Sequence, residues 1–179
     1  MGLDITAYRQ VKKEDVVLNE DGEPIDPVTK DYRYDLARVR ANSDFLSRAE
    51  GIEDGHYSYE ASHGFCAGSY SGYNWWRNEL AKFAGYPATS CVKFGAEAVR
   101  HDAGAWAANS GPFYELINFS DCEGVIGPVV AKKLAQDFAD FADRAMAYQP
   151  DMRGDWYARY LEWQTAFLMA ADHGFVDFH

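Results

Sequence analysis

The sequence predicts an α+β fold: a single domain over residues 1–179, with about three main helices packed on a small, largely antiparallel sheet. Three observations predict it. Leu3, Ile5 and Ala7 alternate with Asp4, Thr6 and Tyr8, which is the period of a half-buried strand. Three later segments repeat apolar residues at helical spacing instead. No internal repeat, low-complexity tract or long linker divides the chain, and 179 residues suffice for one substantial core.

The elements follow in order. Val16-Val17-Leu18 precedes the turn residues Asn19-Glu20-Asp21-Gly22, which fits a hairpin or an excursion loop. Pro24 and Pro27 limit regular structure beyond it, and Asp26 to Lys30 reads as exposed loop. Tyr32, Tyr34, Leu36 and Val39 give mixed periodicity. Asn42-Ser43-Asp44 is suited to cap a short helix through Ala49, before Gly51. Tyr57 to Ala61 reads as a short strand.

Tyr73, Trp76, Leu80 and Phe83 mark the first main helix, with Ser71 as expected N-cap and Gly85 at its C-terminal end. Tyr114 to Phe119 reads as a buried strand. Pro128 suits the first turn of a long helix from Val129 to Tyr148, whose apolar face is Val130, Leu134, Phe138, Phe141 and Ala145. Asp155 caps a third helix carrying Trp156, Tyr160, Trp163 and Phe167, and Gly174 ends it. The tail Phe175 to His179 reads as a terminal strand.

The formal charge of −11 argues against a nucleic-acid-binding surface, because neutralising phosphates needs clustered Lys and Arg. A small anion remains compatible where a few positive groups converge. No apolar run approaches about 18 residues, so no membrane span is expected. MGLDITAYRQ lacks the basic and apolar regions of a secretory signal. Cys66, Cys91 and Cys122 are odd in number and form no CxxC pair, which favours reduced thiols in a cytoplasmic protein over a structural zinc site.

Two loops at expected helix starts are candidate sites. Gly68-Ser69-Tyr70-Ser71-Gly72 offers amides and hydroxyls to an anion, and Arg77 adds charge. Tyr70, Tyr73, Trp75 or Trp76 supply faces for a planar base. Ser120-Asp121-Cys122-Glu123-Gly124 brings two carboxylates, suited to hydrogen bonds from a ribose or base edge, to a divalent cation, or to acid–base work. Helix capping explains either loop without a ligand. The pairs His101-Asp102 and Asp172-His173 lack metal-ligand spacing, as do His56 and His63. Cys122 with His101 would make a nucleophile–base pair only if the fold joined them.

MGLDITAY, AGSYSGYNWWRNELA, ELINFSDCEGVIGP and HGFVDFH together resemble an uncharacterised family of bacterial and bacteriophage proteins. The resemblance covers most of the chain and brings no activity with it. It implies a bacterial-cell, cytoplasmic setting and allows a phage origin, in which small proteins counter host immunity by sequestering nucleotide signals.

The leading expectation is therefore a small-molecule-binding protein for a nucleotide-like ligand, held by Ser69, Tyr70, Ser71, Tyr73, Trp76 and Arg77 with Ser120, Asp121 and Glu123 as a second wall. Such binding needs no cofactor. The alternatives are a metal-assisted hydrolase using Asp121, Glu123 and a distant histidine, and an inhibitor that docks on a host protein through its excess aromatics. Homo-oligomers are compatible with all three.

Overall fold

The computed structural model describes residues 2–93, 95–119, 124–150 and 154–179. The chain opens with β1 (Leu3–Arg9), β2 (Lys12–Glu14), and the short pair β3 (Val17–Leu18) and β4 (Pro24–Ile25). β5 (Ala37–Val39) precedes a 3₁₀ helix at Ser43–Ala49, capped by the Asn42 side chain accepting from Asp44 N–H. β6 (Gly55–Ser58) and β7 (Ala61–Gly68) lead into α1 (Tyr70–Ala84). Then come β8 (Thr89–Lys93), β9 (Ala96–Arg100), α2 (His101–Ala108) and α3 (Tyr114–Ile117). The chain closes with β10 (Gly124–Ile126), α4 (Pro128–Asp140), α5 (Ala142–Ala147), α6 (Trp156–Ala170) and β11 (Phe175–Phe178).

The main sheet has the order β10-β11-β1-β7 and is antiparallel throughout. Its two central strands are those nearest the two ends of the sequence, with Ile5 opposite Phe178 and Ala7 opposite Val176. Leu3, Ile5 and Ala7 point to one face, where α1, α4 and α6 lie, and all three are buried. The same face takes Ile126, Val176 and Phe178. A stack of rings fills the space between sheet and helices: Trp76 and Trp163 lie 5.1 Å apart, and Tyr73 and Trp163 lie 5.7 Å apart. The indole N–H groups of Trp76, Trp156 and Trp163 find no acceptor among the described residues, so dense ring packing outweighs their unmet polarity.

The opposite face is covered over part of its area by a three-stranded sheet of order β2-β6-β5. Ala37, Val39 and Tyr57 pack there against Val125 and Phe175. Alternation within β1 and β11 assigns Thr6, Asp177 and His179 to this second face as well.

Four expectations need correction. Tyr57 to Ala61 is not one strand: β6 ends at Ser58 and β7 opens at Ala61, with Tyr59 and Glu60 turning between them. Tyr114 to Phe119 is not a strand: Tyr114–Ile117 is one helical turn, entered from Phe113 in the left-handed region at φ 57°. Leu116, Ile117 and Phe119 are completely buried, and a six-residue run broken only by Glu115 and Asn118 is too short to separate helix from strand by period. The N-cap of α1 is Ser69, whose hydroxyl accepts from Gly72 N–H at 3.1 Å, not Ser71. The long helix divides at Phe141, which leaves helical geometry and inserts its ring against Phe83 and Phe113. Pro128 occupies the first turn of α4, Gly85 closes α1 at φ 94°, and Asp155 caps α6, as expected.

Candidate ligand site

α1 binds its own sequence signals inward. Tyr73 and Trp76 are wholly buried, and neither offers a face to a ligand, which corrects the expectation that they stack on a base. Tyr73 hydroxyl donates to Phe119 carbonyl at 3.0 Å. Arg77 is 2 % exposed. Its guanidinium donates to Ile117 carbonyl at 2.8 Å and to the Asn74 side chain, and lies 5.1 Å from the Tyr73 ring. These contacts pin α1 to α3 and leave Arg77 facing the interior. Ser69 and Ser71 hydroxyls bond each other at 3.1 Å while Ser69 caps the helix. Tyr70 and Trp75 are exposed. Ser120, Asp121, Cys122 and Glu123 lie outside the described residues.

The histidine pairs are also engaged. His101 Nδ1 bonds Tyr86 carbonyl at 2.7 Å, and Asp102 takes Arg100 at 2.7 Å. Among the described residues no group of three His, Cys, Asp or Glu side chains is placed to hold a metal ion.

Converging positive charge occurs elsewhere, around β5. Ala37 and Val39 point into the second cluster, so Arg38 between them points out. β5 pairs with β6, placing Arg38 opposite His56. The loop before β5 is shaped by Asp26, whose carboxylate accepts from Val28 N–H at 2.8 Å and Thr29 N–H at 2.9 Å. Those bonds hold the Asp26 carboxyl below the usual range. The chain then returns so that Arg33 N–H bonds Pro24 carbonyl at 2.9 Å and Tyr32 bridges Ile25.

This arrangement makes two clefts with a shared wall. The first, about 180 Å³, is lined by Tyr32, Arg33, Tyr34, Arg38 and His56, with the Glu23 carboxylate at its wall as well. The Tyr32 and Tyr34 rings lie 5.5 Å apart, and Tyr34 is 85 % exposed. The second, about 200 Å³, is lined by Arg38, Arg40, Gly124, Asp177, Phe178 and His179. His179 Nε2 is 3.0 Å from Thr6 hydroxyl, which fixes the imidazole against the sheet.

Arg38 belongs to both clefts. Arg33 spends its charge on Asp35, with two bonds of 2.8 Å. Arg38 makes no hydrogen bond or ion pair with any described residue and is left to solvent. Burial, and then the adjacent Arg38 charge, lower the His56 pKa below its ordinary value. That direction favours the neutral imidazole, which donates from one ring nitrogen and accepts at the other.

A larger cleft of about 540 Å³ lies between Val11, Ile52, Tyr57, Pro128 and Gly174, with Glu53 and His173 at its margin. Its polar groups are committed: Tyr57 hydroxyl donates to Glu53 carbonyl at 2.9 Å, and Glu53 takes Lys13 at 2.9 Å. The smaller pair shares Arg38, a cation with no partner among the described residues.

Sequence reasoning missed this site because β5 is three residues long. The signal is present in Leu36-Ala37-Arg38-Val39-Arg40, where arginine and small apolar residues alternate. Comparison with models of known protein families, with curated proteins and with solved structures finds no match. The functional reading therefore stands on the chemistry of the site.

Proposed function

We propose that the protein binds a small anionic ligand carrying a planar ring, with a nucleotide-like molecule as the specific case. The supporting observation is the uncommitted Arg38 guanidinium standing between a tyrosine-lined cleft and a second cleft with Arg40 and His179. Tyr32 and Tyr34 suit a base, and Arg38 suits a phosphate by charge-assisted, bidentate bonding. Two clefts of this size suit one ring system and one or two phosphates. The reading is of binding without turnover, as in capture of a nucleotide signal within a bacterial cell.

Calorimetry against cyclic and linear nucleotides tests this reading. Arg38→Ala is expected to weaken the best ligand by about 1–3 kcal/mol through loss of the charge-assisted bond. Arg77→Ala, compared while still folded, should leave affinity nearly unchanged. No binding by any nucleotide to folded protein would overturn the proposal. Recovery of a hydrolysed ligand after denaturation would replace capture by catalysis.

A further inference from the structure

We infer that β7 is an interface at which two copies of this chain pair, extending the four-stranded sheet to eight strands across a two-fold axis. This inference is independent of the ligand site. β7 is an edge strand of eight residues, Ala61-Ser62-His63-Gly64-Phe65-Cys66-Ala67-Gly68. It carries no Asp, Glu, Lys, Arg or Pro, although a quarter of the chain is charged. Edge strands are ordinarily guarded by charge, proline, brevity or a bulge, and this one has only a bulge at Ala67, beyond the outward-facing stretch Ser62 to Cys66.

Strand geometry specifies how the pairing runs. Asp4 exchanges both backbone bonds with His179, so Leu3, Ile5 and Ala7 turn their amides toward β7. Ile5 pairs with Phe65 and Ala7 with His63, so the backbones of His63 and Phe65 face β1. Those of Ser62, Gly64 and Cys66 face outward, and no backbone partner meets them among the described residues.

The flanking charges select the register. Arg159 donates to Ala67 carbonyl at 2.6 Å, and Glu162 lies 2.9 Å from His63 Nε2. A two-fold axis through Phe65 sets Ala67 of one copy opposite His63 of the other. Arg159 of each copy then approaches Glu162 of the second copy, on the face where α6 lies. The same register sets Gly64 opposite Cys66 as a hydrogen-bonded pair, and it brings the two half-buried Phe65 rings together at the axis. An isologous contact of this kind is self-complementary and closes at two copies. Repulsion between two chains of net charge −11 opposes any approach through the acidic surface, so an uncharged edge bordered by a matched ion pair is the favoured route.

Sedimentation velocity over about 1–100 µM tests the pairing directly, since a strand-edge dimer of modest area forms in this range. A shift from one-chain to two-chain mass with rising concentration is expected. Cys66→Lys and, separately, Ser62→Lys place a charge toward either end of the edge and should abolish the shift while circular dichroism remains that of the parent. The register is tested with Gly64→Cys under mild oxidation. Hydrogen-bonded pairs set Cα atoms about 5.5 Å apart, within disulfide reach. A covalent dimer should form in this variant and be lost in Gly64→Cys with Cys66→Ser. A Cβ at position 64 meets only ordinary contacts, at 3.8 Å, so the variant folds. A single-chain mass at every concentration, or a dimer indifferent to both lysines, would overturn the inference. A lysine-sensitive dimer that fails to cross-link would overturn the Phe65 register.

Discussion

Arg77 lies inside the helix layer, with its guanidinium beneath Tyr73 and bonded to a carbonyl of α3. Its environment is that of a structural cation: removing it leaves Ile117 carbonyl without a buried donor and opens a cavity. Arg77→Ala should therefore cost about 2–4 kcal/mol in chemical denaturation. Arg38 has the opposite circumstances, with no internal partner and two clefts beside it, so its loss should register in affinity and hardly in stability. Position 104 offers a third test of local packing. A Cβ there would fall 2.0 Å from Pro87 carbonyl oxygen, because α2 crosses that backbone without any intervening side chain. Gly104→Ala should destabilise by about 1–3 kcal/mol, measured as a lowered denaturation midpoint at unchanged slope. A neutral result would mean that the helix shifts freely.

At the level of elements, what was legible was what carried a period. α1 and α6 were readable because Tyr73, Trp76, Leu80 and Phe83, and likewise Trp156, Tyr160, Trp163 and Phe167, recur every three or four residues on buried faces. β1 was readable from strict alternation. α3 was not, since four residues are too few to show a period and its single turn is set by packing between α1 and α4. The break at Phe141 was hidden because its ring is apolar and falls in phase with the preceding helix. Its displacement arises from ring contacts with Phe83 and Phe113, distant in sequence. The candidate site was hidden for a related reason: Arg38 gains meaning only from β6 beside it and from Tyr34 folding back. Substituting the Ser69 cap by alanine should cost about 1 kcal/mol, and Ser71→Ala much less, because only Ser69 accepts a bond from the helix amides.

For the whole molecule, pH couples the small sheet to stability. The His56 pKa is depressed in the folded state by burial and by Arg38. Above the ordinary imidazole value both folded and unfolded chains are neutral there, and His56 contributes no pH dependence. As pH falls through that value, the unfolded chain takes up a proton before the folded one does, so stability declines. His56→Asn should reduce this loss, measured by denaturation at pH 5 and pH 7 (about two pH units spanning the ordinary value). An anion bound against Arg38 would oppose the depression, and proton uptake on binding would report it.

The placement of β11 between β1 and β10 has a consequence during synthesis. β1 is synthesised long before β11 and needs Phe175 to Phe178 as its central neighbour, with Asp4 and His179 exchanging backbone bonds across that seam. Contacts this distant in sequence slow folding. Until residue 178 has emerged, β1 can pair only with β7, and the nascent chain holds its aromatic residues without a finished sheet to cover them. Deleting residues 175–179 should thus leave a protease-sensitive, aggregating chain rather than a slightly weakened fold, as limited proteolysis of ribosome-released product would reveal.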